Sequence, residues 1–464
     1  MVFVLVRRIQ KRYALHVNNL EFILLQMTKP SPQKIAVIGS GITGLHAAYL
    51  LQKAGHAATL FEKLPKAGMA AHGVDFNGSN QSLYWGDVPS RMFNPLEWSE
   101  LYQLYKDIGV ETETVDPTQS FSTLSNGECQ TYLNLKAANS PFANFSQIFR
   151  PKRLRTLLEA KRLFNIGRKS LKTGVANDLS FHSYLVQNKF SERFCREFLY
   201  PNLTSTVCTC TPEVLDNYPA ALVLRLLDHI THDKHHQERL LKTRFGTLDV
   251  VSRLASQLQD IRYGVDIVSV KQINNRVEVS TKDQGAESFD HAVMATQANH
   301  CLKLVADLST DEETFLQGFS YHDVEVIIHT DDTFMPKNKN LWSTFNMHTL
   351  AQAPKRSVQS SMCTVWMNRF HKNWQVDSEV FQSIMPITAI DESKVIRRVR
   401  LQRPAITKDS YRLWDLYDQK LLDPRRRVWF CGSYAERGIP LLETGIRSSR
   451  KVANAIDLNE PSPK

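Results

Sequence analysis

Nowhere in these 464 residues does an apolar run reach the length a helix needs to cross a bilayer, roughly 18–20 residues. A helical membrane span is therefore not expected. CxxC spacing is also missing: the seven cysteines (Cys129, Cys195, Cys208, Cys210, Cys301, Cys363 and Cys431) are odd in number and irregularly spaced. Cys208 and Cys210 form a CxC, but no second Cys/His pair stands near enough in sequence to complete a tetrahedral site, so no metal is expected. Reduced, mostly buried thiols in a cytoplasmic protein are the reading that remains. Heptads, collagenous triplets and internal repeats are absent, which sets aside coiled coils and solenoids. Disorder is set aside as well, because 42% hydrophobic and 22% charged residues is ordinary globular composition. The net charge of +10 favours anionic partners without choosing among a dinucleotide, an acidic substrate and a lipid headgroup. No nucleic-acid partner is expected.

A secretory signal is not present in its usual order, since the apolar Met1–Val6 precedes Arg7, Arg8, Lys11 and Arg12 and no A-x-A-like site follows. Met27 stands seven residues before the first expected strand. Residues 1–26 read as an extension or as sequence upstream of the true start, and 1–32 as unordered.

What is present begins at Lys34-Ile35-Ala36-Val37-Ile38, a β-branched run ending in glycine, as a buried parallel strand does. Gly41 to Gly55 reads as a helix with Leu45, Ala48 and Leu51 on its apolar stripe, and Ala57–Glu62 returns as a second strand. Between them Gly39-Ser40-Gly41-Ile42-Thr43-Gly44 matches G-x-G-x-x-G. The first glycine permits the tight turn, Gly41 lets the backbone approach a pyrophosphate, and Gly44 lets helix and strand pack closely. The helix N-terminus offers free N–H groups and partial positive charge to phosphates. Glu62, about twenty residues on, can accept hydrogen bonds from ribose hydroxyls, and its charge disfavours a 2′-phosphate and hence NADP.

The remaining pattern suggests an α/β protein: a discontinuous Rossmann-type cofactor domain with an inserted α+β substrate domain. The cofactor parts fall at 33–95, 243–300 and 425–458, and the substrate parts at 96–242, mainly helical, and 301–424, mixed; 459–464 is a tail. Strands are expected at 266–270, 276–280, 290–295 and 427–431, and a closing helix at about 442–457.

Lys34–Glu62 followed by Lys63-Leu64-Pro65-Lys66-Ala67-Gly68 resembles the opening of the flavin-containing amine oxidase superfamily, which includes protoporphyrinogen oxidases and carotenoid desaturases. Its members usually carry GG-R/H after the ribose acid; Ala67-Gly68-Met69-Ala70-Ala71-His72 keeps only Gly68. The closing Val428–Tyr434 and Ile439–Ser448 resemble the superfamily's last strand, loop and helix. A narrower resemblance, to a branch of predicted NAD/FAD-binding amine oxidoreductases, rests on Asp87-Val88-Pro89-Ser90-Arg91, Tyr200-Pro201-Asn202, Leu341–Asn346, Thr364–Arg369 and Arg403-Pro404. The resemblance implies FAD. Gly432 and Ser433 would contact the phosphate and ribityl region, and Thr444, Gly445 and Ile446 would lie near flavin N1 and O2, where the helix dipole favours negative charge. Val270 matches the position whose backbone holds the adenine. Covalent attachment would need a cysteine after Gly432-Ser433-Tyr434; Ala435-Glu436-Arg437-Gly438 has none, so the FAD is expected to be non-covalent.

The implied function is an FAD-dependent oxidase, dehydrogenase or desaturase that takes hydride from a C–N or C–C bond of a small or lipid-like substrate. Two alternatives stay open: a non-redox flavoprotein isomerase, and an NAD-dependent dehydrogenase using the Rossmann site alone. No catalytic residue is named. Arg91 would hold a substrate carboxylate or anionic flavin, or else pair structurally with Asp87 or another acid. Tyr84 and Trp85 would wall a cavity or pack in the core, and His72 reads as a loop residue. His229, His232, His235 and His236 read as a solvated face rather than a metal site. In 150–172, nine basic residues interleave with Leu154, Leu157, Leu158, Leu163, Phe164, Ile166 and Leu171, with only Glu159 opposing. Such a helix either packs on a core or makes peripheral contact with an anionic membrane.

Overall fold

The computed structural model describes residues 31–125, 128–135, 151–232, 240–352 and 360–457. The expected extension before residue 31, the tail, and His235 and His236 lie outside the described residues, as do the side chains of His229 and His232.

Five parallel strands form the cofactor sheet, in the order Val428–Phe430, His291–Met294, Lys34–Ile38, Ala57–Glu62, Asp260–Tyr263. The opening strand sits at its centre, and successive side chains point to opposite faces. Ile35 and Val37 enter a core with Leu45, Leu51, Val452 and Ile456 from the helices Ile42–Ala54 and Leu442–Asp457. Ala36 and Ile38 enter a second core, where Val277, Val279 and Phe289 come from the three-stranded antiparallel sheet Ile267–Ile273, Arg276–Thr281, Gly285–Phe289. Both faces are covered, so the strand sequences are continuously apolar rather than alternating.

A seven-stranded mixed sheet forms the other layer, in the order Val395–Pro404, Tyr321–His329, Phe381–Ile384, Ser361–Trp366, Phe345–Leu350, Gln119–Ser125, Glu128–Leu135. The helices Pro151–Thr173 and Ala220–His232 pack together beside it, and Gly167 allows the approach: a Cβ there would lie 3.0 Å from Leu224 Cδ2. The fold is thus α/β with a Rossmann-like sheet assembled from three separate stretches. The mainly helical character expected of 96–242 gives way at Gln119–Leu135, where two strands join the second sheet. Their alternation is masked in sequence because both faces are buried, one carrying Phe121 and Leu133 and the other Ser120, Ser122 and Asn134. Ser120 Oγ meets its need for a partner by donating to Asn346 Oδ1 (2.8 Å).

Candidate cofactor and substrate site

The opening strand ends at Gly39, whose φ of 102° lies in the region that favours glycine. Its N–H donates to Phe61 C=O (2.8 Å), tying the turn to the second strand. A Cβ on Gly44 would stand 1.8 Å from Gly39 O, so the first helical turn can pass over the strand end only as glycine. A Cβ on Gly41 would meet no protein atom within 4 Å. Open space beside a helix N-terminus is the kind of site that can take a phosphate.

Ser40, an unspecified position in the motif, organises the turn. Its N–H donates to Glu62 Oε2 (2.9 Å), its hydroxyl donates to the same oxygen, and it accepts from Gly68 N–H (2.8 Å). Glu62 Oε1 accepts from Leu64 N–H (2.8 Å). The fingerprint turn, Glu62 and Gly68 are therefore joined in one hydrogen-bonded cluster.

The closing segment, some 400 residues on, packs directly against this turn. A Cβ on Gly445 would lie 2.5 Å from Thr43 Oγ1. Ser449 Oγ hydrogen-bonds His46 Nδ1 (2.8 Å), and Ile446 is fully buried with Ile42 and Leu45. Gly432 N–H donates to Ser448 Oγ (3.0 Å), and Thr444 Oγ1 accepts from Leu441 N–H (3.0 Å), which fixes the loop before the closing helix. Glu443 turns away to accept from the N–H groups of Leu101 (2.9 Å) and Glu100 (3.3 Å); burial pushes its pKa up.

Both turns open onto one cavity of about 1040 Å³, lined by Gly41, Ile42 and Thr43 on one side and by Ser433, Leu441 and Leu442 on another. Val324, Val326, Phe345, Val365 and Ile384 supply an apolar wall from the seven-stranded sheet. Phe194, Phe198, Leu199 and Leu203 supply another, from a helical stretch with two widened π-type turns, in which Leu203 C=O accepts from Cys208 N–H (2.8 Å). Such turns are frequent at functional sites. Leu157, Lys161, Phe164 and Arg168 of the basic helix Pro151–Thr173 also line it.

Other expected residues are placed as follows. Arg91 lines the cavity and makes no ion pair with Asp87, whose Oδ1 accepts instead from Trp85 Nε1 (2.7 Å), Thr247 N–H (2.8 Å) and Thr247 Oγ1 (2.6 Å). Thr247, which no sequence motif marks, thus orients the run that carries Arg91. Trp85 and Tyr84 stand on the strand Leu83–Gly86 outside the cavity wall, Tyr84 beside Trp374 with rings 6.2 Å apart. His72 is half-buried, its pKa lowered by desolvation and then by Arg397 and Arg91. Val270 is a correction. It is fully buried in the core, and its C=O is already taken by Ala306 N–H (3.0 Å), so it presents no free backbone edge to an adenine. The strand region meets Glu62 five residues earlier, where Val265 N–H donates to Glu62 C=O (2.9 Å). Among the described residues no cluster of His, Cys, Asp or Glu could hold a metal ion, and no helix is long and apolar enough to cross a membrane.

Solved structures share this architecture. Putrescine oxidase bound to putrescine superposes with a TM-score of 0.64 at 13% identity, covering 92% of this chain and 99% of that one. The fatty acid isomerase from P. acnes that produces CLA gives 0.62 at 16%, covering 91% and 98%. Cyclohexylamine oxidase from Brevibacterium oxydans IH-35A gives 0.62 at 12%, covering 92% and 99%. A 1-hydroxycarotenoid 3,4-desaturase from Flavobacterium sp. (strain P99-3) is 37% identical over 79 residues, a match spanning 17% of this chain and 15% of that enzyme. The model of the flavin-containing amine oxidoreductases matches residues 42–457, nearly the whole described chain. The chain therefore belongs to the flavin-containing amine oxidoreductase family, as a flavin-dependent oxidoreductase whose cofactor is FAD.

Proposed function

We propose that this protein is an oxidase, dehydrogenase or desaturase that takes a hydride from a C–H bond of an elongated, largely apolar substrate. The carrying observation is a continuous cavity of about 1040 Å³ that runs from the two glycine turns to walls of Val, Ile, Leu and Phe. FAD would take the end of that space beside the glycine turns, and the apolar walls of the remainder suit a lipid-like ligand. Bound FAD supplies the hydride acceptor. The chain's own residues would hold it without a covalent bond: N–H groups at the start of Ile42–Ala54 would serve the pyrophosphate, Glu62 the ribose, and the Leu441–Ile446 segment the flavin end. Val324, Val326 and Val365 exclude water from the reacting carbon and orient it. Arg91 lies close to the same space.

Purified protein is expected to be yellow, with about one FAD per chain and no flavin left on the polypeptide after acid precipitation. Anaerobic addition of amines, polyunsaturated or modified acyl chains and prenyl compounds should reveal one class that bleaches the flavin. A second reading, non-redox isomerisation, is favoured by the likeness to the fatty acid isomerase over 98% of that enzyme's length. It predicts turnover of an unsaturated acyl chain with no net bleaching and no acceptor consumed.

The helix Pro151–Thr173 is proposed to rest on an anionic membrane from the cytoplasmic side. Leu154, Leu157 and Leu158 are 43%, 37% and 57% exposed, beside the exposed Lys161 and Arg162, and Leu157 and Lys161 also line the cavity. Each suitably placed basic residue adds about 1 kcal/mol of attraction. Flotation with liposomes containing phosphatidylserine, but not with neutral ones, is expected, and Leu158→Asp should weaken it. Equal flotation with both would remove the proposal.

A further inference from the structure

Thr209 borders the cavity just after the second widened turn, Leu203–Val207. Among the described residues five non-glycines have a positive φ: Gln81, Lys189, Thr209, Asn274 and Met385. Thr209, at 43°, is alone among them in being β-branched and in bordering the cavity. A β-branched side chain is disfavoured in that conformation, and such outliers gather at functional sites. The backbone on both sides holds it there. Cys208 N–H donates to Leu203 C=O (2.8 Å) and Cys210 N–H to Thr204 C=O (3.0 Å), while Thr209 C=O accepts from His322 Nε2 (2.9 Å).

The hydroxyl has nothing to bond. Thr209 is 5% exposed, and its Oγ1 is buried with no hydrogen-bond partner. Neighbouring hydroxyls are all provided for: Thr204 Oγ1 donates to Tyr200 C=O (2.7 Å), Ser205 Oγ to Ser361 Oγ (3.2 Å), Thr206 Oγ1 to Asn202 C=O, and Thr211 Oγ1 accepts from Val214 N–H (3.4 Å). An unpaired buried hydroxyl is costly, so its partner is expected from the cavity. The surroundings select the kind of partner. Arg403, also on the cavity, donates through Nη2 to Pro440 C=O (2.8 Å) and Val207 C=O (3.4 Å), two residues from Thr209. Its charge disfavours an ammonium here, and its Nη2 is already committed. One hydroxyl gives a single hydrogen bond to a neutral oxygen; a carboxylate would ask for more donors. Leu203, Val207, Pro440 and Leu441 line the same part of the cavity with apolar surface.

We infer that Thr209 is a specificity-determining residue whose hydroxyl bonds a neutral ketone or alcohol oxygen carried on an otherwise apolar substrate chain. The inference rests on the proposed reading of the cavity as the substrate site and names the polar group its substrate bears. A site built to bond such a group rejects the analogue that lacks it, because the buried hydroxyl is then left unpaired.

The test is isothermal titration of the purified holoprotein with nonan-2-one, nonan-5-one, nonane and 2-aminononane, each delivered from the same cyclodextrin. Wild type is expected to bind at least one ketone about 10-fold more tightly than nonane, the order of one hydrogen bond, and more tightly than the amine. Thr209→Val, close in shape but without the hydroxyl, should bring ketone and nonane within about threefold. Thr209→Gly, whose backbone suits a φ of 43°, should do the same and serves where the valine protein does not fold. Thr209→Ser should keep the preference. A wild type that prefers neither ketone to nonane, or a folded Thr209→Val or Thr209→Gly protein that keeps the preference, would overturn the inference. So would a Thr209→Val protein of unchanged melting temperature that purifies without FAD, since the hydroxyl would then serve the cofactor. A colourless wild type sinks the flavin reading instead, while the calorimetric comparison still decides Thr209.

Discussion

Gly41→Val is expected to yield a folded protein without flavin, and Gly44→Ala a protein that loses stability first and flavin in consequence. The two glycines are three residues apart in one motif, yet their surroundings are opposite. A Cβ at Gly41 enters space that no protein atom occupies within 4 Å, and its φ of −62° suits any residue. The apoprotein therefore has no reason to notice the change. A branched side chain there fills the position of closest approach to the pyrophosphate, and FAD affinity should fall by at least roughly 100-fold, about 2.7 kcal/mol. At Gly44 a single methyl group would lie 1.8 Å from Gly39 O and 3.1 Å from Ala295 Cβ. Alanine is the better helix former, but the gain of about 1 kcal/mol cannot offset a backbone overlap of that depth. Overpacking in well-packed sites costs about 1–3 kcal/mol and occasionally more, and here the helix must lift from the sheet to relieve it. FAD-to-protein ratio and the thermal melt of each apoprotein separate the cases. A Gly41→Val protein that melts well below wild-type apoprotein, or a Gly44→Ala protein that melts with it, would show that the turn is not built this way.

Much of this site was legible because it is local. The strand, turn, helix and acid from Lys34 to Glu62 lie within thirty residues, and their glycines have meanings that hold in any such unit. The closing strand and helix were legible for the same reason. What sequence could not show is contact across the chain: that Gly445 stands against Thr43, that Ser449 meets His46, or that Ser40 joins Glu62 to Gly68. Each is a small or polar residue whose partner is far away or whose role depends on one rotamer. Val270 was placed by the resemblance alone, and nothing in the residues themselves showed that Ala306 N–H takes its C=O. Asp87 and Arg91 look paired in sequence, but Thr247 and Trp85 take the carboxylate first. The basic helix was open to two readings, and its packing half is visible: Ala160 and Leu163 face the core while Leu154 and Leu158 stay in solvent.

Acid is expected to unfold this protein between about pH 6.5 and pH 4, and to release the flavin as it does so. Five histidines are buried in the neutral form. Burial lowers His46 and His348 to about 3, and His291 and His329 to about 4, with Arg450 assisting at His46 and Arg427 at His291; His371 lies well below its ordinary value, through burial and then Lys242. The contacts show why a second ring proton is refused. His329 Nε2 bonds Ser383 Oγ (2.9 Å) while its Nδ1 accepts from Asp331 N–H (3.1 Å), so protonation would break the latter bond. His291 faces two donors, Arg427 Nη1 (3.0 Å) and Trp429 Nε1 (3.1 Å), and has no acceptor on hand for an additional proton. In the unfolded chain each ring titrates near 6.5. As pH falls below that value the unfolded state binds protons that the folded state does not, and stability drops by up to about 1.4 kcal/mol per pH unit per histidine. By pH 5 each has cost about 2 kcal/mol, and together they reach the order of 10 kcal/mol, comparable with the whole stability of a typical domain. Glu443, with its pKa raised by burial, opposes this, but it is one group against five. Glu287 and Asp331, whose pKa values are lowered, add to the loss only at the acid end, as pH falls into the ordinary carboxylate range. Urea unfolding at pH 7.5, 6.5, 5.5 and 5.0 should show a steepening loss below 6.5. His46→Gln should shallow that slope by about one proton, and because His46 holds Ser449 of the closing helix, flavin release should follow the same curve. Stability that stays level from pH 7.5 to 5.0 would mean that these rings exchange protons in the folded protein, and that the core around them is more open than its packing shows.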